Sequence, residues 1–235
     1  MRLYPLFLAL EACVCFSASA NFVGSAVLGA IGVATLAEVK HRRELLFAAM
    51  PCLFALHQFT EGFVWLGLNG HLPPIVAHDA GAAYVLYAQG LLPFLLPYSV
   101  FLLESTPNRR RRMLDFTALG ALLALYILWG LIAYPVQIYA RGHGIVYLNQ
   151  ISTTDTVAVL YVVATCGALF FSGLRALVLL GALNVAGLLV VMLVRRYEFT
   201  SIWCAYAAVV SIVIYFFFRR SREDRPAHYA REAVL

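Results

Sequence analysis

The chain has 235 residues, 63% of them hydrophobic and only 12% charged, with a mean hydropathy of +0.83 and a formal net charge of +5. Soluble domains carry roughly 45–50% apolar and 25% charged residues, so these proportions describe a chain whose solvent is lipid. At about 20 apolar residues per crossing, the length holds about seven spans with short connections. It leaves no room for a soluble catalytic domain, a coiled coil or a nucleic-acid-reading module.

Residues 1–16 open with Arg2 and the apolar run Leu6-Phe7-Leu8-Ala9-Leu10, and Ala18-Ser19-Ala20 has the small residues of a signal cleavage site. Glu11 breaks that run, and the next span can direct its own insertion. The segment therefore reads either as a signal-like leader or as an extension ahead of a start at Val14. Ala20 to Val39 is the first span, with Gly24, Ala26, Gly29 and Gly32 allowing a second helix to approach closely. It stops at Lys40-His41-Arg42-Arg43. Glu44 to Leu68 is the second span, and Asn69-Gly70-His71-Leu72-Pro73-Pro74 marks an exit from the membrane. Ala80 to Leu103 is the third, kinked because Pro93 and Pro97 each remove a backbone donor.

Arg109 to Arg112 separate the third span from the fourth, Met113 to Tyr134, which Pro135 ends. In the connection Val136 to Thr156, Gln137-Ile138-Tyr139-Ala140 and Ile145-Val146-Tyr147-Leu148 flank Arg141-Gly142-His143-Gly144, the pattern of two short strands about a glycine-rich turn. Val157 to Ser172, Leu174 to Val194 and Thr200 to Phe218 complete the set, joined by Gly173 and by Arg195-Arg196-Tyr197-Glu198. The expected fold class is all-α. Residues 17–218 form a seven-helix transmembrane bundle with a small β-hairpin in the outer loop between helices 4 and 5, and residues 219–235 form a polar tail.

Basic residues set the expected orientation. Lys40, Arg42, Arg43, Arg109 to Arg112, Arg175, Arg219, Arg220, Arg222, Arg225 and Arg231 fall on one side, and Arg2, Arg141, Arg195 and Arg196 on the other. The positive-inside rule then places the N-terminus outside and the tail in the cytoplasm of a cytoplasmic (inner) membrane. Arg195-Arg196 is the one violation. Arg109 to Arg112 read chiefly as a topology signal, with attraction of anionic lipid as a second capacity.

Ionisable groups near the bilayer centre are costly and usually face the bundle interior. His57 and Glu61 are four residues apart near the middle of the second span, hence on one helical face. Trp65 continues that face. Burial disfavours the charged form of each group while their mutual attraction favours it, which suits a pair that carries protons or orients a ligand. A pair that only locks neighbouring helices is the competing reading. Gln58, Gln89 and Asn184 are candidate partners, each also suited to interhelical hydrogen bonding. Asn21 and Ser25 suit helix capping.

His71, His78, Asp79 and His143 cluster toward the outer mouth, but their spacing matches no ligand motif, so they read as solvated loop residues and no metal or cofactor is assigned. Tyr84, Tyr87, Tyr139, Tyr147 and Trp203 read as an interfacial aromatic belt, with an aromatic ligand cage as the alternative. Cys13, Cys15, Cys52, Cys166 and Cys204 show no ligand spacing. Lys40 is the sole lysine and lies in a loop, which rules out a retinal-type Schiff base.

Val14-Cys15-Phe16-Ser17-Ala18, the segment Leu56-His57-Gln58-Phe59-Thr60-Glu61-Gly62-Phe63-Val64-Trp65 and the outer Gly142-His143-Gly144-Ile145-Val146-Tyr147 resemble the signatures of a family of uncharacterised bacterial multi-pass membrane proteins. That resemblance supports the architecture and supplies no reaction. Three functions stay open. An interior polar site of His57, Glu61, Gln58, Gln89, Asn184 and His143 would bind a small-molecule ligand or carry protons, in a transporter-like or sensory protein. The layout is also similar to the ceramidase-like intramembrane hydrolases, although the seventh span has no histidine and Gln89 stands where an acid is wanted. Thirdly, the small-residue faces would serve a structural membrane subunit. The expected partners are the lipid bilayer and a small ligand or proton, and no nucleic acid.

Overall fold

The computed structural model describes residues 17–141, 144–194 and 206–220. Among these residues the fold is all-α, with seven principal helices and one hairpin. We label the helices α1 (Ala18–Ala37), α2 (Met50–Leu68), α3 (Pro74–Leu103), α4 (Pro107–Ala133), α5 (Asp155–Phe170), α6 (Arg175–Val194) and α7 (206–220). The strands β1 (Gln137–Arg141) and β2 (Gly144–Leu148) lie between α4 and α5.

Ser17 caps α1, its Oγ accepting the Ala20 N–H. Small residues then let α1 and α2 approach closely as an antiparallel pair. Gly24 meets Gln58, Gly29 meets Ala55 and Gly32 meets Cys52, while Ser25 Oγ donates to the Ala55 carbonyl at 2.8 Å. The connection is shaped by Glu44, which is buried and accepts the Lys40 and His41 N–H groups on Oε2 at 3.1 and 3.3 Å.

Two helix starts differ from the sequence expectation, both because of proline. Glu44 does not open the second long helix. A 3₁₀ turn (Arg42–Glu44) and a single α-turn (Leu45–Ala48) come first, and α2 begins at Met50. Pro51 has no N–H to give and fits only the first turn of a helix. By the same rule α3 starts at Pro74, ahead of the expected Ala80. The turn between them uses Gly70 at φ +75°, and Gly67 leaves room for Ala77.

Within α3, Leu86–Leu91 is a π-helical turn. Pro93 cannot donate to the carbonyl four residues back, and the ladder absorbs the defect in the turn just before it. The halves of α3 flanking this turn pack against different neighbours: the N-terminal half on α2, the C-terminal half on α4 and α5. Gly120 of α4 lies against the Pro93 backbone, where a Cβ would overlap the carbonyl oxygen.

Polar side chains close the turns. Glu104, 6% exposed, follows α3; its Oε1 accepts the Thr106 N–H at 3.0 Å and its Oε2 the Gly173 N–H at 2.8 Å. It thereby ties the α3–α4 turn to the α5–α6 turn. Burial alone would raise this carboxyl, but those two donors and the Arg109 guanidinium outweigh it and hold the group below its ordinary range. At the opposite end, buried Asn149 donates through Nδ2 to the carbonyls of Gly130 and Tyr134, and accepts the N–H groups of Ile151 and Ser152 on Oδ1.

The hairpin is antiparallel, with Ile138 opposite Tyr147 and Arg141 opposite Gly144. β1 is largely exposed, while β2 buries Ile145 and Tyr147 against the ends of α2 and α3 nearest the turn that joins them. Val64, Trp65, Tyr84, Val85 and Val136 complete that hairpin-side core. A larger core at the opposite end joins Phe47, Met50, Val100, Met113, Leu169, Leu177, Ile214 and Phe218. Outside these cores the surface is aliphatic: Val23, Val33, Leu122, Leu125, Ile132, Val159 and Leu179 are all more than half exposed. Helices α1, α3 and α4 are long and apolar enough to cross a membrane, and α5 and α6 are shorter apolar helices. Gln58 and Glu61 of α2 lie inside the bundle.

Two predictions follow from these contacts. Gly120→Ala lowers the stability of the detergent-solubilised protein by about 1–3 kcal/mol through overpacking, read as a drop in unfolding temperature that Ala118→Leu, on the exposed face of α4, does not cause. Glu104→Gln costs about 1–2 kcal/mol at neutral pH by weakening charge-assisted hydrogen bonds. Because the folded carboxyl sits below its ordinary value of 4.5, this contribution is complete above that value and disappears as pH falls through the lower folded one. Unfolding curves of parent and variant should converge in acid; a constant gap at all pH values contradicts the clamp.

Candidate functional site

In α2 the polar residues divide between two neighbours. Gln58 is buried toward Gly24 of α1, and Gly62 in the next turn receives the ring of Phe22 from the same helix. His57 turns the other way. Its ring stacks on Tyr84 of α3 with centroids 3.8 Å apart and planes 23° apart, and lies 4.9 Å from the Tyr87 ring. Tyr84 in turn stacks on Tyr147 of β2 at 4.5 Å and 12°. One column of rings thus runs from α2 through α3 to the hairpin. Glu61, one turn beyond His57, is fully buried, and Trp65 follows at 6% exposure.

The short turn explains the meeting of α2 and α3. His57 and Tyr84 are nearly equidistant in sequence from His71 at the bend, so an antiparallel pair brings them to one depth. Tyr84 and Tyr87, three residues apart, fall on one face where the α-helix passes into the π-turn. Gly81 leaves space for Ile138 and Tyr147, which seats the hairpin on α3.

Several polar atoms here are shielded from solvent. His57 Nδ1 and Tyr87 OH are buried and have no hydrogen-bond partner among the described residues, and the same holds for Gln89 Oε1 in the π-turn. Asn21 Oδ1, in the α1 turn that packs at the level of Glu61 and Gly62, is also buried without one, although its Nδ2 caps the Ser17 carbonyl at 3.1 Å. Such groups cost about 1–3 kcal/mol each when left unsatisfied.

The other expected site residues are placed differently. Asn184 accepts the Tyr206 hydroxyl at 2.8 Å and fastens α6 to α7. His143 lies outside the described residues, as do Trp203, Cys13, Cys15 and Cys204. His78 and Asp79 form an exposed pair at 3.1 Å. No group of three or more His, Cys, Asp or Glu side chains that could hold a metal ion occurs among the described residues, so the donor set of a catalytic zinc is not assembled around His57 there. Tyr84 and Tyr147 are not part of an interfacial belt, because both are buried in the ring column. Their role was hidden in the sequence by its dependence on the α2–α3 register; the equal spacing about His71 was the available signal.

The aliphatic exterior, the polar and aromatic interior and the seated hairpin define an all-α bundle with helices fit to cross a membrane. The chain belongs to the Family of unknown function (DUF6629), which it matches over residues 14–230. No curated protein and no solved structure matches it.

The ring column has a direct spectroscopic consequence. Tyr84→Ala removes the ring-current shift on the His57 ring protons and moves them downfield in NMR spectra, whereas Tyr147→Ala, one ring further along, has a smaller effect. Equal shifts in the two variants would contradict the stacking order.

Proposed function

We propose that this is an integral membrane protein whose interior site around His57 and Glu61 binds a small polar ligand or carries protons, in a transporter-like or sensory role. The observation that carries this reading is His57 itself: an imidazole packed on the Tyr84 and Tyr87 rings, one helical turn before the fully buried Glu61, with a shielded Nδ1 that finds no partner among the described residues. A helix that only needed packing would be more stable with an apolar side chain at this depth. The hairpin above, joined to the site through Tyr147, covers it from the outer side.

In this reading all seven helices cross the membrane, with the N-terminus outside and the arginine-rich end in the cytoplasm. Arg42, Arg43, Arg109 to Arg112, Arg175, Arg219 and Arg220 share the end at which Glu104 meets Gly173 and Phe47 meets Phe217 and Phe218. A purely structural role for the small-residue faces has less support. Gly24, Gly29 and Gly32 are used against α2, Gly181 against Leu169 and Phe170, and Gly187 against Tyr206, all within the chain.

The test is to reconstitute the parent protein, His57→Ala and Glu61→Gln in liposomes containing a pH-reporting dye, and to examine each by native mass spectrometry for a retained small molecule. The parent should either speed the decay of an imposed pH gradient or retain a ligand, and each variant should reduce that signal at least tenfold. Parent and variants that behave alike in both measurements would overturn the reading.

A further inference from the structure

At the end of the bundle opposite the hairpin, a groove runs between the last turn of α3 and the first turns of α4. It is lined by Phe101, Ser105, Pro107, Arg110, Arg111 and Leu114. The Arg110 guanidinium lies over the Phe101 ring, 4.6 Å from its centroid, so one wall presents a cation already held in place. Leu114 is half exposed and starts a stripe that continues up the outside of α4 through Leu125 and Ile132, which are 65% and 78% exposed. The groove is thus polar and basic at its mouth and apolar along its length.

Among the described residues no carboxylate pairs with the three arginines that follow Arg109 at that mouth. Arg109 turns inward beside Glu104. Arg110, Arg111 and Arg112 make no ion pair among the described residues, Asp115 one turn on included. Adjacent arginines repel, and they stand at the beginning of α4, where the helix dipole is positive and disfavours cations. An anion bound between them would relieve both the repulsion and the dipole.

We propose that this groove is a binding site for an anionic phospholipid of the leaflet that surrounds it, the phosphate held by Arg110 and Arg111 and an acyl chain laid along Leu114, Leu125 and Ile132. The occupant is a lipid and not a soluble anion because the charged mouth opens directly onto a continuous aliphatic track, and only a lipid presents a phosphate and a hydrocarbon chain together. The site rests on the chain lying in a membrane but not on the His57 reading, since it shares no residue with that site.

The test uses the full chain in neutral detergent, titrated with phosphatidylglycerol, with phosphatidylcholine and with soluble glycerol 1-phosphate, and read by native mass spectrometry and by unfolding temperature. Phosphatidylglycerol should be retained and should raise the unfolding temperature; the other two should do neither. The double variant Arg110→Gln, Arg111→Gln should bind phosphatidylglycerol about 25-fold more weakly, given the usual gain per basic residue at an anionic surface. The Arg110→Lys, Arg111→Lys protein keeps the charge, retains most of the binding and shows that loss in the first variant is not loss of fold. Arg219→Gln, Arg220→Gln, at the same end but outside the groove, should bind as the parent does. Equal retention of phosphatidylcholine, an equal effect of glycerol 1-phosphate, or an equal loss in the Arg219, Arg220 variant would each overturn the proposal.

Discussion

Polar side chains on a helix of an otherwise aliphatic bundle must be covered by its neighbours, and most of this architecture follows from satisfying that constraint for α2. His57 and Glu61 share one face of the helix while Gln58 points about 100° away from His57, so they turn toward different neighbours. The glycines of α1 bring its backbone close enough to take Gln58, and the tyrosines of α3 take His57. Leaving such a group in hydrocarbon costs about 2.5–3.5 kcal/mol when it is charged, on insertion scales. The order α1, α2, α3 in space is therefore set by the middle helix.

The bundle is closed by another use of polar chemistry. Glu44, Glu104 and Asn149 all sit at turns, all are buried, and each accepts or donates to backbone groups that helix ends leave unmatched. Glu104 is the most consequential, because its two oxygens serve two different turns far apart in sequence. Packing in a bilayer gains nothing from expelling water between helices. Directional bonds at the ends supply what the hydrophobic effect does not.

Much of this was legible in the sequence because it depends on local pattern. Apolar runs, the prolines around α3 and the strand–Gly–strand motif gave the helices and the hairpin, and the glycines of α1 marked a close contact. The candidate pair His57 and Glu61 stood out by being polar where polarity is expensive. What escaped was relational. Pro51 and Pro74 shift two helix starts by the rule that confines proline to a first turn, although those same prolines were in plain view. Asn184 looked like a partner for the central pair by depth alone, yet depth does not say which neighbour a residue faces, and it pairs with Tyr206. Tyr84 and Tyr147 looked interfacial because tyrosine usually is, and only the meeting of α2, α3 and the hairpin makes them interior.

The π-turn at Leu86–Leu91 carries a consequence for how this chain can vary. Deleting one residue within it would restore a regular helix and, at about 100° per residue, swing everything on one side of the deletion around the axis relative to the other. Tyr84 would leave His57, or Gly120 would lose its register with Pro93; both cannot survive. Loops usually absorb length changes freely, but here a stretch in mid-helix has a residue count as fixed as the identity of its side chains, and insertions or deletions should be excluded from it.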